Sequence, residues 1–346
     1  MVKFRGSVAH TLMRRYVFRD KLMYILEMSL LKKGDVILTA ERAWLSKGVR
    51  ISTWSKFSHA TLYVGSGSYI HSDNKGVHAD NIQRLLFKSK NHVAVLRPNK
   101  PKYIDAACVF ARTQIGKQYS VKEAIRTKKN LFLAKEQNRQ FCSRLVAQSY
   151  ADAGLNISRK IDYCTPKDIY KSSEFHKIKK CIRKAKEEEL DFAQRYNPLE
   201  AQKQITNSIL RYAREIAGCD IQTFEQLTDL VVSTPSIDVQ IADFMTNSGY
   251  FDMWRYEYQK NRWRYDYETL ISLNVDEAMM IEICQREVEN ASERLKLYSF
   301  NLVQHKMSFR NVNLKYIQKH TELYENLVQM TEKNLHACSQ YLSSKT

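Results

Sequence analysis

Gln140-Phe141-Cys142-Ser143-Arg144-Leu145-Val146-Ala147-Gln148-Ser149-Tyr150-Ala151-Asp152-Ala153-Gly154 has the makings of a helix that begins on a nucleophile. Leu145, Val146, Ser149, Tyr150 and Ala153 follow the spacing of one buried helical face, and Gly154 supplies a stop. Cys142 then falls at the helix N-terminus. Unsatisfied backbone N–H groups and the helix dipole favour negative charge there, which lowers a thiol pKa from its usual value of about 8.5 and raises the thiolate fraction. The same N–H groups can stabilise an oxyanion. Standing alone, a cysteine that opens a helix is more often structural than catalytic.

Thiol catalysis also needs a base, and the base needs an orienter. Phe57-Ser58-His59-Ala60-Thr61-Leu62-Tyr63-Val64-Gly65-Ser66-Gly67-Ser68-Tyr69-Ile70-His71 predicts a β-hairpin turning at Gly65–Ser68, with a histidine at each outer end. A register with Thr61 opposite His71 puts both histidines on one face, offset by roughly 7 Å along the strand. A register with Leu62 opposite His71 puts them on opposite faces. The hairpin thus offers a candidate base and leaves its orienter open; either histidine can equally cap a strand end.

The elements that must position these groups fall into an α+β region and a helical one. Apolar groups at helical spacing in the first thirty residues (Leu12, Val17, Leu22, Met23, Leu26, Met28) predict an amphipathic helix over 1–30. From Leu31 onward, short runs between turn signals predict strands at Asp35–Leu38, Ser58–Val64, Tyr69–His71 and Val93–Leu96, and helices at Tyr103–Ile115 and Ser143–Ala153. Beyond Pro198 the composition turns helical. Seams through Ile281, Cys284, Val288, Ala291, Leu295, Tyr298 and Leu302, and through Tyr316, His320, Leu323, Leu327 and Met330, predict long helices that a break near Met307–Asn311 makes antiparallel. Met253–Tyr267, dense in Trp, Tyr and Arg, is expected to pack as aromatic core, a contact surface being the alternative.

Leu31-Lys32-Lys33-Gly34-Asp35-Val36-Ile37-Leu38, Ser58-His59-Ala60, Tyr69-Ile70-His71, Gly76-Val77, Ile115-Gly116-Lys117-Gln118-Tyr119, Phe141-Cys142-Ser143 and Thr165-Pro166-Lys167-Asp168 follow one another in the order found in a known group. The region resembles the permuted NlpC-type, YiiX/YebB-like cysteine hydrolases, to which the lecithin retinol acyltransferase-like enzymes are related. In that group the histidine hairpin precedes the cysteine helix, the reverse of the ordinary papain order. The resemblance implies a circularly permuted papain-like domain over 31–178; the helical composition beyond it predicts an all-α C-terminal domain over 179–346. It also implies Cys142 as nucleophile, His59 as general base and acid, and His71 as the residue that orients His59. Ser120 departs from the pattern, standing where the group often has an acidic residue, and the helical region has no counterpart in it.

Residues 1–180 hold 35 Lys+Arg against 13 Asp+Glu, a net charge of +22, whereas the remainder carries −4. A field of that sign favours anionic partners, a membrane lipid or an acidic protein ahead of nucleic acid, for which there is no recognisable module. The C-terminal helices are expected to self-associate or bind a protein partner. Seven cysteines without CxxC pairs argue against a disulfide framework or a structural zinc site. With neither a signal peptide nor a run of about 20 apolar residues, a cytoplasmic protein is expected, export by a non-classical route remaining open. No cofactor is expected, nor a metal: His78, His92, His176, His305, His320 and His336 lack partners at ligand spacing, and there is no HExxH or Walker-type motif. The residues imply acyl transfer through a thioester. The expected function is an amidase acting on a peptide, isopeptide or peptidoglycan-type bond, the alternatives being a lipid acyl hydrolase or acyltransferase at a membrane surface, and a catalytically inert interaction protein.

Overall fold

Short apolar runs bounded by turn residues become the strands of an antiparallel sheet in the first of two compact units, Met1–Glu200 and Ala201–Thr346. The computed structural model describes residues 22–40, 56–119 and 140–345. Among these, six strands lie in the order β5-β4-β3-β2-β6-β7. They are β2 (Val36–Thr39), β3 (His59–Gly65), β4 (Ser68–Asp73), β5 (Gly76–Asn81), β6 (Val93–Pro98) and β7 (Phe175–Ile178). Alternation of side chains divides the core in two. Val36, Leu38, Ala60, Leu62, Val64 and Ile70 pack with Ala107, Ala111, Leu145, Val146 and Tyr150 of helices α1 (Ile104–Thr113) and α2 (Cys142–Asp152). Ile37, Tyr63, Tyr69 and Val95 pack with Leu26, Phe87 and Cys181. The four expected strands and both expected helices are present, within a few residues of their expected ends.

The Leu31–Leu38 piece owes its shape to Gly34 and Asp35. Gly34 has φ +87°, and a Cβ there would stand 2.8 Å from the Ile104 side chain, so only glycine fits the turn before β2. The fully buried carboxylate of Asp35 accepts from Arg97 at both oxygens, 2.8 and 2.7 Å, and from the Lys32 backbone N–H at 2.8 Å. The Tyr150 hydroxyl donates to the Gly34 carbonyl and ties α2 to the same turn. These residues fasten strand to helix.

The helix expected over 1–30 lies outside the described residues for positions 1–21, and at its far end the structure differs. Tyr24–Leu26 is a strand, β1, paired antiparallel with β8 (Ile182–Lys184). Cross-strand backbone bonding and burial of Ile25 and Leu26 override the local helical spacing. The first unit consequently runs past the expected boundary at 178 and includes β8 and α4 (Glu187–Gln194), which Arg183 links through Glu27 and Glu189 at 2.7 and 2.6 Å. A short helix, α3 (Pro166–Lys171), begins with a capping box between Thr165 and Asp168, which gives the Thr165-Pro166-Lys167-Asp168 piece a structural reading.

The second unit is helical. From the boundary helix α5 (Pro198–Ala217) onward it contains α6 (Phe224–Ser233), α7 (Asp238–Asn247), α8 (Met253–Lys260), α9 (Tyr267–Ile271), α10 (Glu277–Asn311) and α11 (Lys315–Ser343). The long pair is antiparallel: Lys345 reaches Glu277, Arg294 reaches Asn334 and Lys306 reaches Glu325, so residue numbers fall on one helix as they rise on the other. Both oxygens of Asp238 accept from the backbone N–H groups of Lys315 and Tyr316, a carboxylate seated on the positive end of α11. Of the aromatic run 253–267, Trp263 and Tyr267 pack on the core of this unit, whereas α8 buries no residue fully and Tyr256 is exposed. None of the described helices is long and apolar enough to cross a membrane.

Candidate active site

The β3–β4 hairpin pairs Leu62 with Ile70 and Tyr63 with Tyr69, the register that sets Thr61 across from His71. His59 and His71 therefore share a face, and the two buried rings meet edge to face with His59 Nε2 2.9 Å from His71 Nδ1. The β4–β5 pairing then sets His71 opposite His78 and Asp73 opposite Gly76, the tight Asp73–Gly76 turn carrying the chain from one strand to the next. His78, set aside in the sequence for want of partners at ligand spacing, in fact faces His71 with ring centroids 4.4 Å apart. Asp80 Oδ2 lies 3.5 Å from His71 Nε2 and 3.6 Å from His78 Nε2, and Asp73 Oδ2 lies 3.4 Å from His78 Nε2.

Electrostatics follow from burial. Burial lowers the His59 pKa well below its ordinary value, and the neighbouring His71 and His78 lower it further, so the resting ring is held as the neutral imidazole. Burial also lowers the His71 pKa; the contact with Asp80 opposes this. For Asp80, burial pushes the carboxyl up, but its contacts with His71 and His78 outweigh that and hold it far below the usual carboxylate range.

Cys142 opens α2, as its sequence requires. Phe141 precedes it in extended conformation and contributes no side-chain cap to the first turn. Two contacts fix this helix start. The Ser72 hydroxyl, next to His71, donates to the Gln140 carbonyl at 3.2 Å, and the Gln140 N–H donates to the Gln118 carbonyl at 2.9 Å. The segment Gly116–Tyr119 is itself laid along β5, with Gly116 N–H donating to Val77 and Val77 N–H donating to Lys117. Gly76 has φ +97°, and a Cβ there would stand 2.6 Å from the Lys117 carbonyl oxygen. That approach gives a physical reason for the Gly76-Val77 and Ile115–Tyr119 pieces to occur together. Tyr119 bridges to Gln140, and its phenol is pushed well above its ordinary pKa by burial first and then by negative charge at Cys142 and Asp73.

The structure thus joins His59 to His71 directly and sets Cys142 on the helix whose start is tied to the residue beside His71. His59 opens β3, Asp73 closes β4 and Gly76 opens β5, so these residues share one end of the sheet. Tyr119, His78, Asp73 and Asp80 belong to the same neighbourhood, although sequence spacing alone did not single them out. The signal that could have found them is the second tight turn: Asp73-Asn74-Lys75-Gly76 followed by alternating Val77-His78-Ala79-Asp80. Ser120 lies outside the described residues.

Residues 30–182 match the family model of the permuted papain-like amidase enzymes, YaeF/YiiX, C92 family. This domain belongs to that family. The C92 domain is a cysteine hydrolase with a permuted papain-like fold, and the helical region after it lies beyond the matched residues. A comparison with curated proteins finds no match to the chain.

Proposed function

We propose that the C92 domain hydrolyses an amide bond of peptide, isopeptide or peptidoglycan type through a Cys142–His59–His71 site and a thioester intermediate. The observation that carries this reading is the 2.9 Å contact between two buried rings, His59 Nε2 and His71 Nδ1. With the proton on His59 Nε2 donated to His71 Nδ1, the other nitrogen of His59 is the one with a lone pair for the thiol proton. The proton of His71 then sits on Nε2, facing Asp80 at 3.5 Å. His71 orients the base, and the Asp80 carboxylate orients His71 in turn.

In the first half-reaction the Cys142 sulfur attacks the carbonyl carbon while its proton passes to His59. The tetrahedral oxyanion is stabilised by N–H groups of the first turn of α2. Collapse breaks the C–N bond, and His59 returns its proton to the leaving amine. A water molecule, deprotonated by His59, then cleaves the thioester and regenerates the thiol. The amide rather than the ester reading is supported by the match to an amidase family.

p-Nitrophenyl acetate, an activated acyl donor, tests the chemistry independently of the natural substrate. One equivalent of p-nitrophenolate per chain in a rapid burst, with an acetyl group on Cys142 in the acid-quenched protein, is expected, and Cys142→Ala should abolish both. An undiminished burst in Cys142→Ala, or acetylation elsewhere, contradicts the assignment.

A further inference from the structure

The His78 ring has one nitrogen accounted for. Its Nδ1 lies 3.1 Å from the Gly76 carbonyl oxygen, which can only accept, so Nδ1 carries the proton. In the neutral ring Nε2 then holds a lone pair, and that lone pair points at carboxylate oxygens, Asp73 Oδ2 at 3.4 Å and Asp80 Oδ2 at 3.6 Å. Among the described residues, neither His78 Nε2 nor Asp73 Oδ2 makes a hydrogen bond, and both side chains are more than nine-tenths buried. Buried acceptors facing one another are costly unless a positive centre lies between them.

Ligand atoms of His71, Asp73 and His78 all lie within 4.8 Å of one another. A tetrahedral zinc site with bonds of about 2.0–2.1 Å has ligand-to-ligand edges of about 3.3–3.4 Å. The separations here of 3.4, 3.5 and 3.6 Å are close to those edges and longer than the 2.7–3.2 Å of ordinary N–H···O bonds. The donor set of two imidazoles and two carboxylates suits a borderline cation, and its two negative charges balance a divalent one. His78 also has the arrangement usual for a metal-ligating histidine, its second nitrogen donating to a backbone carbonyl.

We propose that His71, Asp73 and His78, completed by Asp80, form a zinc site that switches the hydrolase off. This rests on the proposed catalytic roles of His59 and His71. Zinc on His71 Nε2 displaces the proton from that nitrogen, and neutral His71 then carries its proton on Nδ1. Nδ1 donates to His59 Nε2, so the His59 proton must sit on the other nitrogen, the one needed to accept the thiol proton. Two protons change nitrogens within the two rings, and any proton bridging His78 and Asp73 leaves to solvent. The base is thereby blocked without any contact between zinc and the thiol.

The test uses the full chain with Cys142→Ala, which removes the thiol as a competing ligand. After chelator treatment, Zn2+ is titrated by competition with a chromophoric chelator. One Zn2+ per chain is expected, with affinity lowered at least about tenfold by Asp73→Asn and by His78→Gln. Co2+ added to the wild-type chain should give the visible bands of a tetrahedral site without thiolate charge-transfer absorption, a readout that needs no variant to fold. Absence of stoichiometric binding, binding untouched by both substitutions, or a thiolate–cobalt band would overturn the proposal. The first of these would mean that a proton on His78 Nε2 is the positive centre. None of these readouts depends on turnover, so failure of the zinc site leaves the acyl-transfer reading standing. Conversely, Zn2+ binding in the Cys142→Ala chain stays measurable if that reading fails.

Discussion

His59 Nε2 and His71 Nδ1 stand 2.9 Å apart between two rings that are both buried. Only one of these nitrogens can carry the shared proton, so the tautomer of each ring dictates that of the other. A pair of histidines on one strand face is thereby a directed unit in which the outer partner decides which nitrogen of the inner one is basic.

Replacing His71 tests that dependence. His71→Ala should slow thioester formation with p-nitrophenyl acetate by about ten- to a hundredfold, the order expected when a general base loses its orientation. His71→Gln, which keeps an acceptor for the His59 N–H, should recover part of the loss. Equal loss in both variants would point to packing around Tyr69 and His78 instead.

Asp35 belongs to the same run of motif pieces as the site residues but should behave differently. Asp35→Asn removes the charge that Arg97 grips at both oxygens and should destabilise the domain by about 2–3 kcal/mol. Urea denaturation measures this. The acyl-transfer rate of the remaining folded protein should be unchanged, and a rate loss without a stability loss would assign Asp35 to the chemistry.

The contrast between these residues shows how much was legible in the sequence. The hairpin was readable because Gly65 and Gly67 punctuate it, and the helix start because Cys142 immediately precedes a clean apolar face. Register was open, and the pairing of Leu62 with Ile70 decides it. His78 and Asp80 were missed because they meet His71 across a strand pairing, so their separation in sequence carries no ligand spacing. Tyr24–Leu26 was misread for a similar reason: its partner strand lies more than 150 residues away, where local periodicity carries no information. In the second unit the two long helices were legible because i, i+3 and i, i+4 contacts are local.

The second unit should be acid-sensitive through His320. The buried ring donates from Nδ1 to the Tyr316 carbonyl at 2.9 Å and lies against Phe251, Tyr250 and His305. Burial pushes its pKa down to about 3, the Tyr316 carbonyl opposing and His305 assisting. A histidine depressed in the fold is neutral there while the unfolded chain takes up a proton near pH 6.5. Its stabilising contribution is therefore present above about pH 6.5, declines as the pH falls toward 3, and changes no further below that. Between pH 6.5 and 4.5 the loss should be about 2–3 kcal/mol. Urea unfolding of the full chain at those two values, wild-type against His320→Gln, measures it. A pH effect of the same size in both proteins would remove His320 as its source.

The acyl-transfer reading of the C92 domain turns on an activated thiol, and the rate of iodoacetamide labelling at Cys142 probes it most directly. Peptide mass spectrometry would follow labelling against pH in wild-type chain and His59→Ala, with EDTA present to keep zinc from the histidines. Cys142 should react faster at neutral pH than a thiol with the usual pKa of about 8.5, and His59→Ala should slow it at least about tenfold. Labelling that follows an ordinary thiol in both proteins would contradict the assignment of Cys142 and His59 as nucleophile and base.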